Sequence, residues 1–293
     1  YYSLKCMRIR EGDEVLVSDF SWISTASCIL MAGATPVFCD IDLDTYHISF
    51  DEIKKKTTRN TKALIYTHLF GNMSETKEIE QYCKDNDIVF IEDAAQSLGS
   101  IYYSRPAGSI GDISSFSFNH NKVISGISGG GIVLTDNKDD ADLVRKLKQH
   151  GKGNDYELLG YNSKVLYTNA AFIEFRFDRM KEYQLARTKV AYKYHEALED
   201  IPVVTQIPES MGVLHNYHKY VVRFENKEIR DSVKEELNAK IHYDKALSGN
   251  SMFQMQPCTN SKIASDTLLS LPCHPYVTEE EVLKTAMVIG IMA

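Results

Sequence analysis

Two stretches hold the residue types from which chemistry could be built. In Ile91-Glu92-Asp93-Ala94-Ala95-Gln96 an apolar run ends in two carboxylates, small residues and an amide. In the second, Gly111-Asp112-Ile113-Ser114-Ser115-Phe116-Ser117-Phe118-Asn119-His120-Asn121 leads to Lys122, then to Gly126 and the triplet Gly129-Gly130-Gly131. Glycines let a backbone approach a ligand closely, hydroxyls and amides can hold a phosphate, and a lysine amine beside them can form an imine with a carbonyl. Taken singly, each signal has a plainer explanation. Carboxylates at a strand end often cap the next helix, most lysines are solvated at the surface, and a hydroxyl such as Ser117 is as readily spent on a backbone group. The glycines also lack the Walker spacing of a P-loop.

Metal chemistry has less behind it. His215-Asn216-Tyr217-His218 carries a His-x-x-His spacing, but on a strand two such side chains do not converge as they do on a helix, and no acidic or thiol partner accompanies them. The six cysteines are scattered without a Cys-x-x-Cys pair. Reduced thiols and no metal centre are the expectation.

The elements that must position these residues follow from periodicity. Strands are expected at Glu14-Val17, Pro36-Cys39, Ala63-Tyr66, Ile88-Ile91, Ser115-Phe118 and Ile132-Thr135. They alternate with helical segments at Ile23-Ala32, Phe50-Lys56, Glu75-Asn86 and Asp139-His150. This alternation predicts an α/β fold, a mostly parallel central sheet flanked by helices, which places ligands beyond the carboxyl ends of the strands. From about Thr168 to Leu198 the pattern is helical, and Pro202, Pro208 and Gly212 then break it. A large unit over residues 1–200 and a smaller C-terminal α+β unit over 201–293 are expected. In the latter, Tyr217-Phe224 reads as a strand, Lys227-Asn238 and Glu279-Ile289 as helices, and Ser248-Ser265 as a polar loop.

Composition bounds the function. With 293 residues, 43% hydrophobic and 25% charged, the chain can bury a sizeable core, which excludes disorder as its general state. A formal charge of −7 leaves no broad basic surface for a phosphate polymer, so nucleic acid is not an expected partner. No apolar run approaches the roughly 20 residues needed to span a bilayer, and no signal-peptide pattern opens the chain. A cytoplasmic address without membrane attachment is the expectation. Tyr1-Tyr2-Ser3-Leu4-Lys5-Cys6-Met7 reads as the middle of a helix, as though the chain were truncated at its start.

Taken together the two stretches resemble the DegT/DnrJ/EryC1/StrS family of sugar aminotransferases, within the aspartate-aminotransferase-like, fold-type I pyridoxal-phosphate enzymes. Gly12-Asp13-Glu14-Val15, Ser21-Trp22-Ile23-Ser24-Thr25-Ala26, Ala32-Gly33-Ala34-Thr35-Pro36-Val37-Phe38 and His68-Leu69-Phe70-Gly71 carry the likeness upstream. Gly160-Tyr161-Asn162-Ser163 and Leu271-Pro272-Cys273-His274-Pro275 extend it downstream. The resemblance implies that Lys122 holds pyridoxal 5'-phosphate in Schiff-base linkage and later shuttles a proton between substrate carbon and cofactor. It implies that Asp93 faces the pyridine nitrogen, keeping the ring cationic and a stronger electron sink. Gln96 would meet the ring hydroxyl, Trp22 would stack on the ring, and Ser117 would bind the phosphate. Asn162 would reach the phosphate in a neighbouring subunit, which implies a homodimer with shared active sites. His120, His242 and Tyr243 are the candidates for lining the substrate pocket. A Gly-Thr-Ser/Thr-Ala turn that helps cradle the phosphate in the family would fall just before Tyr1.

The implied reaction is a two-step exchange. An amino-acid donor, by resemblance L-glutamate, leaves its amino group on the cofactor, and the group then passes to a nucleotide-linked keto-deoxy sugar. Two rivals stand beside it. A related sugar dehydratase has histidine at the lysine position, a reading that needs His120 rather than Lys122 in the key place. A truncated non-catalytic or regulatory member of the same fold would keep the architecture without turnover.

Overall fold

The computed structural model describes residues 1–153, 155–156, 158–206 and 212–293; Pro208, one of the expected helix breakers, lies outside the described residues. The first half contains α1 (Tyr2–Cys6), β1 (Glu14–Ser18), α2 (Ile23–Ala32), β2 (Thr35–Cys39), α3 (Phe50–Lys56), β3 (Thr61–Thr67), α4 (Lys77–Asp85) and β4 (Val89–Asp93). A short ribbon, β5 (Ile101–Tyr102) and β6 (Arg105–Pro106), precedes β7 (Ile113–Ser117), β8 (Gly131–Leu134) and α5 (Lys138–Leu147). The central sheet has the order β2-β1-β3-β4-β7-β8. Every pairing in it is parallel except that of β7 with β8. The chain leaves β1 toward β2 and returns to β3 on the other side, and a strand-order reversal of this kind opens a crevice at the carboxyl ends.

Both faces of this sheet are buried, which is why its strands are nearly continuous apolar runs. Val15, Val17, Ala63, Ile65, Ile91 and Ile113 point to one side, where they pack with α1, α2 and α5 through Leu4, Ile29 and Leu147. The intervening Leu16, Leu64, Tyr66 and Phe90 point to the other, against Ile53 of α3 and Ile79 and Cys83 of α4. The same alternation continues into the polar residues at the strand ends.

The remaining elements are α6 (Tyr167–Phe177), α7 (Met180–Ala197), β9 (Val204–Thr205), β10 (Val213–Leu214), β11 (Tyr220–Arg223), α8 (Lys227–Leu237), α9 (Thr259–Thr267), β12 (Leu268–Leu271) and α10 (Glu279–Met292). The single helical stretch expected from Thr168 to Leu198 is thus two helices. A second sheet, β12-β11-β9, is antiparallel. Its core joins Tyr220 and Val222 to Val190, Ala191 and Tyr194 of α7, Val233 of α8 and Ile289 of α10. This packing takes in α7, upstream of the composition break at residue 200.

Ser248-Ser265 departs from its expected loop character, because α9 occupies Thr259–Thr267. The first N–H groups of a helix need acceptors, and here the carboxylate of Asp40, at the end of β2, takes those of Asn260 and Ser261 at 2.9 Å each. Asp19, fully buried after β1, accepts from the backbone of Ser248 (2.7 Å) and Cys258 (2.8 Å). The caps come from the other end of the chain, so no local signal announces the helix. Both carboxylates fasten this polar segment against the large sheet.

Candidate active site

Glu92 and Asp93 are consecutive on β4 and therefore face opposite sides of the sheet. Glu92 is fully buried and accepts hydrogen bonds from the N–H groups of Gly108 (2.8 Å), Ile110 (2.6 Å) and Gly111 (2.7 Å), with His68 Nε2 at 2.8 Å. Burial pushes its carboxyl up, but the His68 ring and the backbone donors outweigh that, leaving it below the usual carboxylate value. It folds the segment leading into β7, and its carboxylate oxygens are spent on these donors. Asp93 turns the other way. Thr25 Oγ1 donates to its Oδ2 at 2.8 Å and the N–H of Ala95 to its Oδ1 at 3.2 Å. Ser21 and Thr25 hydroxyls lie 3.1 Å apart. Since the Thr25 proton is committed to Asp93, Ser21 donates to Thr25, and a relay of two hydroxyls fixes the carboxylate's rotation.

Lys122 lies on the connection between the antiparallel β7 and β8. Phe118 N–H bonds Gly130 O (2.9 Å), Gly126 N–H bonds Phe118 O (2.8 Å) and Lys122 N–H bonds Asn119 O (2.9 Å), so the lysine stands on a tight turn within a closed loop. Asn169 of α6 pins the glycine side by donating to Gly129 O at 2.7 Å and accepting from Ser128 N–H at 3.3 Å. A Cβ on Gly126 would stand 2.4 Å from Gly129 O and 2.5 Å from Asn169 Oδ1, which explains the glycine there. Burial lowers the proton affinity of the Lys122 amine, with the charge of Asp93 opposing the shift.

A cavity of about 700 Å³ gathers Trp22, Asp93, Gln96, Ser117, Lys122 and Tyr243 at the carboxyl ends of β1, β4 and β7, and His120 and His242 also line it. Trp22, directly ahead of α2, is 57% exposed, and its ring lies 6.0 Å from that of Tyr243, tilted by 47°. Gln96 is buried; its Oε1 accepts from Phe70 N–H (3.0 Å) and its Nε2 donates to Tyr243 Oη (3.0 Å). That leaves the second amide hydrogen free for a ligand. Ser117 Oγ accepts from Asn119 N–H at 3.3 Å. His120 is exposed on the turn, and His242 Nδ1 lies 2.8 Å from Ser270 Oγ. Burial, with the nearby Lys219, Lys240 and Lys122, pushes His242 down to about 4.

Lys122, His120 and His242 also line a second cavity of about 640 Å³ against the smaller unit, where Arg187, His218, Lys219 and Lys240 join them. Asn162 lines neither cavity; it sits exposed on the strip after α5, held by a backbone bridge to Gln149. Sequence reading had not singled out Thr25, Asn169 or Lys219. Thr25 stood inside the Ser21-Trp22-Ile23-Ser24-Thr25-Ala26 motif with no role of its own, and Asn169, in the helical stretch after Thr168, carried no signal. Lys219 had one: a lysine set between buried aromatic residues at the start of a strand. No group of three or more His, Cys, Asp or Glu able to hold a metal occurs among the described residues, and none of their helices is long and apolar enough to cross a membrane.

Residues 1–289 match the DegT/DnrJ/EryC1/StrS aminotransferase family. The chain is 34% identical to UDP-N-acetyl-3-dehydro-alpha-D-glucosamine 3-aminotransferase of Acidithiobacillus ferrooxidans, covering 98% of this chain and 79% of that protein. It is 30% identical to a pleiotropic regulatory protein of Geobacillus stearothermophilus, covering 96% and 78% respectively. The crystal structure of a DegT DnrJ EryC1 StrS aminotransferase from Brucella abortus superposes with a TM-score of 0.90 at 29% identity, covering all of this chain and 83% of that one. The chain belongs to the DegT/DnrJ/EryC1/StrS family of aminotransferases, with its α/β fold of mostly parallel central sheet flanked by helices.

Proposed function

We propose that this aminotransferase moves an amino group from an amino acid, L-glutamate, to a nucleotide-linked keto-deoxy sugar, with pyridoxal 5'-phosphate bound at Lys122. The observation that carries the reading is the convergence of a partly desolvated amine (Lys122), a carboxylate of fixed rotation (Asp93) and a half-satisfied amide (Gln96) on one cavity. The volume of about 700 Å³ suits a cofactor-sized ligand. The name of the Acidithiobacillus relative supports a nucleotide-linked sugar as acceptor.

The residues present fit the cofactor. Lys122 Nζ would bond to it covalently, Asp93 would pair with a protonated ring nitrogen, Gln96 would give its free amide hydrogen to the ring oxygen, and Ser117 would donate to phosphate. Trp22 offers an exposed aromatic face to the same space. When bound, the cofactor supplies an electron sink for charge developing on the reacting carbon. The chain's own part is positional and acid–base. The Thr25 and Ser21 hydroxyls keep Asp93 aimed. Lys122 Nζ, released from its bond to the cofactor when the incoming substrate amine takes its place, and with its proton affinity lowered by burial, would take the proton from the amine-bearing carbon of the donor and return one to the corresponding carbon of the acceptor.

The reading extends to the assembly. Leu159, Leu166, Tyr167 and Phe175 are 87%, 67%, 94% and 61% exposed and flank Asn162 in sequence. An apolar strip of this kind favours a homodimer, in which Asn162 would serve the neighbouring cavity. Residues 1–200 would form the cofactor-binding unit, with α7 packed into the core of the smaller unit over 201–293, and the enzyme would act in the cytoplasm.

The test is direct. Protein incubated with pyridoxal 5'-phosphate should absorb in the visible, and borohydride should fix the label on Lys122, as read by peptide mapping. Glutamate should then be consumed one for one with a nucleotide-linked keto sugar drawn from a panel. Colourless protein with no label on Lys122 would overturn the reading. It would favour a regulatory role, the second reading, which the name of the Geobacillus relative supports.

A further inference from the structure

We propose that Lys219, with Arg187 and His218, forms a binding site for an oxyanion carried by a reactant, on the wall of the cleft that faces Lys122. Lys219 directly precedes β11, its N–H held by Phe70 O at 3.1 Å and its neighbours His218 and Tyr220 buried. The backbone is thereby fixed while the side chain lines both cavities. Lys122, Arg176, Arg187, Lys219 and Lys240 line the 640 Å³ cavity, and no Asp or Glu does. Lys219 makes no ion pair among the described residues.

Two buried side chains bear on the same wall. Arg187 is 8% exposed, and its Nη1 donates to the carbonyls of Tyr217 and Cys273. Those bonds account for one end of the guanidinium, yet its Nε has no partner among the described residues, and neither has Nδ1 of His218, which is 5% exposed. Leaving buried polar atoms unpaired is costly, and Arg187 Nε is a donor in every state, so a concave, cationic wall without carboxylates is built for a negative group that comes and goes. Burial, with Lys122, Arg187 and Lys240 close by, pushes the Lys219 amine down to about 8. An anion between these cations would relieve that repulsion.

The ligand's identity rests on the proposed reaction, whose reactants carry two kinds of oxyanion: the carboxylates of the amino donor and the diphosphate of the nucleotide-linked sugar. Calorimetric titration with glutarate and, separately, with uridine diphosphate distinguishes them in the wild type, K219M, K219Q and K219R. Removing the charge in K219M and K219Q should weaken binding about tenfold or more, and K219R should restore most of it. Weakening of glutarate alone assigns the site to the donor, of uridine diphosphate alone to the acceptor, and of both to a site the two reactants use in turn. The proposal is overturned if both affinities survive loss of the charge, or if neither probe binds the wild type. Because these titrations require neither cofactor nor turnover, they fail independently of the borohydride label on Lys122, which tests the reaction itself.

Discussion

The two walls of the cleft are built on opposite principles. On the sheet side each reactive group has a partner that fixes it: Thr25 holds Asp93, Phe70 and Tyr243 hold Gln96, and Asn169 holds the loop that bears Lys122. On the side of the smaller unit, Arg187 Nε and His218 Nδ1 are buried without partners among the described residues, beside a lysine in no ion pair. Satisfied groups are rigid and suit a resident ligand. An unpaired donor such as Arg187 Nε suits the exchanging reactant proposed above. On the proposed reading, hydrogen-bond accounting separates the resident part of the site from the part that exchanges.

The comparison can be broken most sharply at its hinge. Lys122→Ala should cost roughly a thousandfold or more in turnover and abolish borohydride labelling, with the melting temperature little changed. If labelling moves to another lysine instead, the sheet wall has been misassigned. The next largest effects come from the two adjacent carboxylates, which should fail in different ways. Asp93→Asn should lower turnover on the order of a hundredfold with little loss of stability. Glu92→Gln should destabilise the fold by about 3 kcal/mol in urea titrations, because it breaks a buried hydrogen-bonded set.

The sign of the Glu92 effect with pH follows from its lowered folded value. Its contribution is full above the ordinary carboxylate value, declines as pH drops below that, and is gone beneath the folded value. Glu92→Gln should therefore flatten the acid limb of stability against pH, and an unchanged limb would remove Glu92 from it. A smaller loss is expected for Thr25→Val, about tenfold in turnover. Smallest is Asn169→Ala, about 1 kcal/mol in stability for two neutral bonds, measured by urea unfolding. If Asn169→Ala instead outweighed Thr25→Val in turnover, the lysine loop rather than the carboxylate would be the more delicate half of the sheet wall.

Legibility in the sequence divided along the same line. The strands of the central sheet were readable because burial on both faces leaves runs such as Ala63-Leu64-Ile65-Tyr66 almost wholly apolar. The carboxylates of β4 and the lysine loop were readable as ordered motifs, since each is contiguous in the chain. The helix α9 was not, because Asp40 caps it from some 220 positions away. Nor was Thr25, whose tie to Asp93 spans 68 positions.

Alternation along β4 by itself determined that Glu92 and Asp93 must face apart, and turn chemistry determined that Lys122 would stand on a glycine-rich loop. Only the tertiary structure decided which carboxylate meets His68 and three backbone donors and which meets Thr25, and that Arg187 and Lys219 share a cavity with Lys122. The reason is physical. Periodicity and turns are set by the few bonds between neighbouring residues, whereas burial, charge and hydrogen-bond satisfaction are set by groups that come together only when the sheet and the smaller unit are packed.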